Sequence, residues 1–188
     1  MAEVLLFHHA QGLTAGCVSF ADELRAAGHI VHVPDLYNGK TFDDLNEGVA
    51  HAESVGFDVI RERGRRAAAR LPGELVYAGF SLGALPAQDL AQTRPGAKGA
   101  VIMHAAMQPS GFGTPWPDGV PLQVHTMDRD SWGDPDVARE LSETLDEAEV
   151  FLYPGDRHLF TDESLADYDA TAADLVMQRV LAFLDDIE

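Results

Sequence analysis

The chain has 188 residues, an apolar fraction of 46% and a single cysteine, Cys17. This length predicts one domain over residues 1–188, and one cysteine excludes an intramolecular disulfide and a cysteine-based zinc site. The net charge of −18 argues against nucleic-acid and anionic-lipid partners, because like charges repel. The sequence shows neither an apolar run long enough to span a membrane nor a secretory-signal pattern at its start, so we expect a cytoplasmic protein with no membrane span.

Short apolar runs alternate with longer helical stretches along the whole chain. This pattern is typical of an α/β fold with a mainly parallel sheet and helices on both of its faces. In the first half, strands are predicted over residues 3–8 and 30–33. Helices are predicted over 14–27, 42–54 and 57–71, where apolar residues recur at helical spacing between turn residues.

The second half repeats this alternation more regularly. Predicted strands cover residues 75–78, 100–104, 122–126 and 150–153, and predicted helices cover 82–93, 135–145 and 165–183. A loop rich in proline and glycine, over residues 107–119, separates two of these strands. Loops of that length often carry function, and the aromatic Trp116 is a candidate for covering a pocket. A packed surface loop with structural aromatic residues is the alternative interpretation.

The sequence GFSLG at residues 79–83 matches the G-x-S-x-G pattern, which predicts a nucleophile elbow when it lies between a strand and a helix. The predicted elements on either side supply that strand and that helix. Glycines flank Ser81 because side chains there would collide with neighbouring backbone, and the helix N-terminus favours negative charge at the reacting centre. The pattern predicts Ser81 as a nucleophile; the alternative is a tight turn in which Ser81 caps the helix.

A serine nucleophile needs a base and a carboxylate that orients the base, and in this fold both follow the serine in the chain. His158 follows the last predicted strand in a loop marked by proline and glycine, so we predict it as the base. Asp128 and Asp130 both follow the preceding strand. Loops at the carboxyl edge of a parallel sheet carry the site, so either aspartate suits the acid role and position alone does not choose between them.

The first loop, over residues 8–12, follows the first predicted strand and is expected to supply half of an oxyanion hole. We predict the backbone N–H of Leu82 as one donor and that of Ala10, or alternatively Gln11, as the other. The position of the loop also makes His9 and Gln11 candidate pocket residues.

A histidine-based metal hydrolase is a rival interpretation of the same strand ends. Its ligands would be one of His8 and His9, together with His104 and His125, all of which lie at or near the ends of predicted strands. Their spacing matches no metal-binding motif, so we predict neither a metal nor an organic cofactor.

Four segments together resemble the dienelactone hydrolase family over nearly the whole chain. They are VPDLY at 33–37, GFSLGA at 79–84, PLQVH at 121–125 and YPGDRHLF at 153–160. The resemblance implies the α/β-hydrolase fold. The family pattern places its acid five residues after a strand histidine equivalent to His125, which implies Asp130 rather than Asp128. It also implies His158 as the base.

The chain departs from that family pattern at two positions. Dienelactone hydrolases proper use a cysteine where this chain has Ser81, and they carry a glutamate in the first loop where this chain has His9. The resemblance therefore implies a serine hydrolase of small carboxylic esters or lactones on the same scaffold. The alternative from another class is a non-catalytic binding protein that keeps the pocket without turnover.

Overall fold

The computed structural model describes residues 1–187, which form one six-stranded sheet flanked by six α-helices. The strands are β1 (Glu3–Phe7), β2 (Ile30–His32), β3 (Val76–Phe80), β4 (Gly99–Met103), β5 (Leu122–Met127) and β6 (Ala148–Tyr153). The helices are α1 (Ala15–Ala26), α2 (Leu45–Val55), α3 (Phe57–Ala68), α4 (Ala84–Thr93), α5 (Pro135–Thr144) and α6 (Ala170–Asp186).

All neighbouring strands are parallel, in the order β2-β1-β3-β4-β5-β6. The central strands β3 and β4 are buried along their whole length, as expected when helices cover both faces of a parallel sheet. Because the strands share one direction, the loops after β1, β3, β4, β5 and β6 all emerge at the same edge. That edge therefore gathers residues that are far apart in the sequence.

Two apolar clusters fill the spaces on either side of the sheet. One includes Phe20 of α1 and Val176 and Val180 of α6. The other includes Ile60 of α3 and Leu141 of α5, together with side chains of α2 and α4. The helices thus divide between the two faces, as the alternating pattern predicts, and the α/β architecture with a parallel sheet is confirmed.

Two predicted helices begin later than expected because side-chain caps set their first residues. The helix predicted from residue 165 begins at Ala170, where the Asp169 side chain accepts a hydrogen bond from the Ala172 N–H. The helix predicted from residue 42 begins at Leu45, after Asp44 accepts from the Glu47 N–H. No helix within residues 1–187 combines the length and the hydropathy that crossing a bilayer requires.

Candidate active site

Ser81 lies on a sharp turn between β3 and α4. Its φ of 48° falls in the left-handed region, which is strained for a residue with a side chain. A Cβ atom at Gly79 would lie 2.1 Å from the carbonyl oxygen of Gly83, and one at Gly83 would lie 2.3 Å from the carbonyl oxygen of Phe7. The flanking glycines therefore let the turn close on itself and pack directly against the end of β1.

A continuous chain of hydrogen bonds joins Ser81, His158 and Asp130. Ser81 Oγ lies 2.8 Å from His158 Nε2, and His158 Nδ1 lies 2.7 Å from Asp130 Oδ2. His158 and Asp130 are both buried. The backbone N–H of Trp132 donates to the other carboxylate oxygen of Asp130 at 2.9 Å, which fixes the plane of that carboxylate.

The structure separates the two aspartates that follow β5. Asp130 faces His158, whereas Asp128 Oδ1 accepts a hydrogen bond from the backbone N–H of Gly155 at 3.0 Å. Asp128 therefore braces the loop that follows β6 and does not contact the imidazole. The geometry favours Asp130, in agreement with the family resemblance.

The loop after β1 offers two backbone donors, and they differ in what they already bind. The Gln11 N–H donates to His9 Nδ1 at 3.2 Å. The Ala10 N–H, in contrast, donates to no other residue in the described part of the chain. The Leu82 N–H lies in the short 3-10 turn that leads into the N-terminus of α4. Backbone N–H groups at a helix N-terminus lack acceptors within the helix. Ala10 and Leu82 are thus the better-placed oxyanion donors.

Two more side-chain contacts, missed at the sequence level, hold the loop that carries His158. Thr161 Oγ1 lies 2.7 Å from His104 Nε2 at the end of β4, and Asp162 Oδ2 lies 2.8 Å from His9 Nε2 after β1. Their partners lie 57 and 153 residues away in the sequence, and no local pattern links such distant positions. These two contacts tie the loop after β6 to the ends of β1 and β4.

Of the histidines in the rival metal interpretation, His8 and His125 use both ring nitrogens in other contacts, and His104 uses Nε2. His8 accepts from the Leu36 N–H at Nε2 and donates from Nδ1 to the His9 carbonyl, and burial lowers its pKa to about 4. His125 lies between Tyr153 and Gln123, and burial lowers its pKa to about 3. Burial, reinforced by the nearby His158, also lowers the pKa of His104 well below its ordinary value.

His8, His104 and His125 are therefore held as neutral hydrogen-bonding groups within the edge of the sheet. Among residues 1–187, the side chains grouped closely enough to share a metal ion are those of His9, Cys17 and Asp162. The histidine set of the rival metal interpretation is not grouped in this way in the described part of the chain.

A cavity of about 220 Å³ opens beside His158, and Gln11 is among the residues that line it. His9, the other pocket candidate in the same loop, is fully buried and does not line this cavity. The carboxylates of Asp43, Asp44 and Asp167 line its mouth. No lysine or arginine is among the described residues that line it. A larger cavity of about 430 Å³ lies elsewhere, beside the first residues of β5 and β6, and contains none of the predicted site residues.

Trp116, one candidate for covering a pocket, instead fits the alternative interpretation of a packed loop with a structural aromatic residue. Trp116 is 5% exposed and packs in the apolar cluster on the α4 side, and its indole N–H donates to the Val120 carbonyl at 2.7 Å. It therefore closes its own loop. The aromatic ring near the base is instead Trp132, which is 47% exposed and whose ring centre lies 6.3 Å from that of His158.

Solved structures with this fold include several hydrolases. A dienelactone hydrolase-like promiscuous phosphotriesterase from metagenomic libraries has a TM-score of 0.78 at 18% identity, over 100% of this chain and 87% of that one. The mouse alpha/beta hydrolase domain-containing protein 10 has a TM-score of 0.73 at 12% identity, over 99% and 90% of the chains. A structure from work on two metagenome-derived lipolytic enzymes, LipS and LipT, has a TM-score of 0.66 at 18% identity, over 98% and 93%.

At these identities the structural likeness shows a shared α/β-hydrolase fold. No curated protein sequence matches the chain significantly. The sequence model of one family, described as the dienelactone hydrolase family, matches residues 1–188. The chain therefore belongs to the dienelactone hydrolase family and is a hydrolase of the α/β type.

Proposed function

We propose that this protein hydrolyses small carboxylic esters or lactones through an acyl-enzyme on Ser81. The observation that carries the proposal is the unbroken chain of short contacts from Ser81 Oγ through His158 to Asp130. A hydroxyl becomes nucleophilic when a positioned base accepts its proton, and the carboxylate holds the base in the required tautomer.

The geometry supports a definite path for the proton. With Nδ1–H of His158 donating to Asp130, Nε2 is free to accept the hydroxyl proton as Ser81 Oγ attacks the ester carbonyl carbon. The N–H groups of Ala10 and Leu82 stabilise the oxyanion of the tetrahedral intermediate. The imidazolium then returns the proton to the departing alkoxide, which leaves as the alcohol.

The second half of the reaction uses the same groups in reverse order. Water approaches the acyl-enzyme, His158 Nε2 takes its proton, and the hydroxide attacks the acyl carbon. The intermediate collapses to the carboxylic acid, and the proton returns from His158 to Ser81 Oγ. No metal is needed for either half.

The decisive experiment is hydrolysis of p-nitrophenyl acetate by the wild type and Ser81→Ala. We expect the substitution to lower kcat by about 10⁴-fold or more, as loss of a serine nucleophile does in other triads. Labelling with a fluorophosphonate, followed by mass spectrometry, should place the adduct on Ser81.

Two outcomes separate the rival functions. A metal hydrolase would lose activity with a chelator and keep it in Ser81→Ala. A non-catalytic binding protein would bind esters without releasing p-nitrophenol and would not form the fluorophosphonate adduct. Attachment of the label at any other residue would contradict the proposal.

A further inference from the structure

A second buried histidine–carboxylate pair lies close to the site and takes no part in the proton path above. His9 Nε2 lies 2.8 Å from Asp162 Oδ2, and both side chains are nearly inaccessible. His9 immediately precedes Ala10, the proposed oxyanion donor, and Asp162 lies four residues after His158, the proposed base. The pair therefore bridges the two loops that must be positioned relative to each other for catalysis.

Asp162 is itself rigidly held. The Thr14 hydroxyl and the Ser164 backbone N–H and hydroxyl all donate to its carboxylate, in addition to His9. Burial raises the pKa of this carboxyl, but the hydrogen bonds outweigh burial and lower it to about 2. A Cβ atom at Gly16 would lie 1.8 Å from Asp162 Oδ1. The first turn of α1 therefore packs directly onto a fixed, ionised carboxylate.

His9 links this fixed carboxylate to the loop over residues 8–12, which carries Ala10. Burial lowers the pKa of His9, but the hydrogen bond to Asp162 outweighs burial and raises that pKa to about 9. An imidazolium would point an N–H at the Gln11 N–H, so the 3.2 Å contact from Gln11 N to Nδ1 requires the neutral ring, with its proton on Nε2 facing Asp162. Because the ring engages the amide that follows Ala10, it sets the direction of the loop backbone at Ala10. It also occupies the competing Gln11 donor, whereas the Ala10 N–H has no acceptor in the described residues.

We propose that His9 and Asp162 are positioning residues that aim the Ala10 N–H at the oxyanion. This role rests on the proposed esterase function. Removing an oxyanion donor costs about 10²- to 10³-fold in kcat, and a displacement of about 1 Å costs about 10²-fold. Loss of the pair should therefore cost less than loss of a triad member, and the loss should appear in kcat rather than in KM.

The test compares p-nitrophenyl acetate with its thionoester, in which sulfur replaces the carbonyl oxygen. Sulfur accepts N–H hydrogen bonds weakly, so the thionoester gains little from the oxyanion donors. We expect Asp162→Ala to lower kcat for the oxygen ester about 10- to 100-fold. The ester-to-thionoester ratio of kcat should fall nearly as far, while KM changes little. Asp162→Asn, which can still accept from His9, should lose less.

Thr161→Val is the matched control. It removes the contact with His104 and so loosens the loop that carries His158, without changing the contacts of His9. We expect Thr161→Val to lower kcat for both substrates by the same factor and to leave the ester-to-thionoester ratio of kcat unchanged. Equal losses on both substrates in a folded Asp162→Ala, with an unchanged melting temperature, would overturn the positioning role. So would a ratio that falls equally in Thr161→Val.

Failure of the function and failure of this inference are distinguishable. If Ser81→Ala keeps turnover, the serine mechanism itself is wrong. If Ser81→Ala is inactive on both substrates and Asp162→Asn and Asp162→Ala keep the wild-type ratio, only the positioning role is wrong.

Discussion

Two histidine–carboxylate pairs lie at the same edge of the sheet, and their comparison explains how one chemical unit serves two purposes. The His158–Asp130 and His9–Asp162 pairs are both buried, with contacts of 2.7 and 2.8 Å. They differ in what the other imidazole nitrogen meets. For His158 it is the Ser81 hydroxyl, which can give up its proton. For His9 it is the Gln11 backbone N–H, which keeps its proton.

The carboxylates differ as well. Besides its histidine, Asp130 accepts one further hydrogen bond, from the Trp132 N–H. Asp162 accepts from Thr14 and from both the N–H and the hydroxyl of Ser164. Asp162, the carboxylate with more hydrogen-bond donors, thus belongs to the pair that positions the loop rather than to the pair that moves a proton. The group that contacts the second imidazole nitrogen, rather than the histidine–carboxylate pair itself, therefore determines which histidine can act as a base.

The largest effect expected from this comparison is at Asp130. Asp130→Asn should lower kcat/KM by about 10³- to 10⁴-fold, because an amide favours the wrong imidazole tautomer. Asp162→Asn should cost far less. Asp128→Asn is the control, since an amide oxygen can still accept the Gly155 N–H, and it should stay within a few-fold of wild type. Steady-state kinetics on the three variants measure this, and similar losses at Asp128 and Asp130 would break the assignment.

A third histidine sharpens the comparison because it lacks a carboxylate partner. His125 contacts the neutral groups of Tyr153 and Gln123, and burial lowers its pKa to about 3. The unfolded chain binds a proton at this histidine below about pH 6.5, whereas the native protein does not until about pH 3. The free energy of unfolding should therefore fall as the pH falls from 6.5 towards 3.

Between pH 7 and pH 5 this single group should account for about 2 kcal/mol of lost stability. Urea unfolding of the wild type and His125→Gln at both pH values measures the difference. The variant should lose about 2 kcal/mol less than the wild type over this interval. A variant whose stability falls as steeply as that of the wild type would show that His125 is not the group responsible.

The smallest effect is expected at the mouth of the cavity that lies between His158 and Gln11. Asp43, Asp44 and Asp167 give this mouth a negative charge, so esters with a cationic group should be hydrolysed faster than matched anionic esters. Asp43→Asn and Asp167→Asn should each reduce that preference a few-fold in kcat/KM. The preference should also shrink as salt is added, because these carboxylates are exposed and screened. A preference independent of salt would argue against an electrostatic origin.

The sequence predicted the parts of the molecule in which chemistry and local pattern coincide. The six strands and the G-x-S-x-G turn follow from periodicity and glycine placement. The order of parallel strand ends predicts that Ser81, His158 and the loop of Asp128 and Asp130 meet, and the family resemblance selects Asp130. The His9–Asp162 pair was not predicted, because its members lie 153 residues apart and no local pattern marks Asp162.

The aromatic residues show the same limit. Trp116 lies in a loop whose hydrogen bonds direct its ring towards the core. The composition of the loop does not predict which way the ring points. Trp132 follows Asp130 by two residues, and its proximity to His158 depends on how the loop after β5 folds. Tertiary contacts determine both positions, so neither could be read from spacing.

The difference in exposure between these two rings can be measured through tryptophan fluorescence. Trp132 and Trp116 are its two tryptophans, one half-exposed beside the base and one enclosed in the core. A water-soluble quencher such as iodide reaches the first and not the second. Emission that iodide quenches therefore reports the surroundings of Trp132 beside His158, while emission that iodide cannot quench reports the intact core around Trp116 in the same sample.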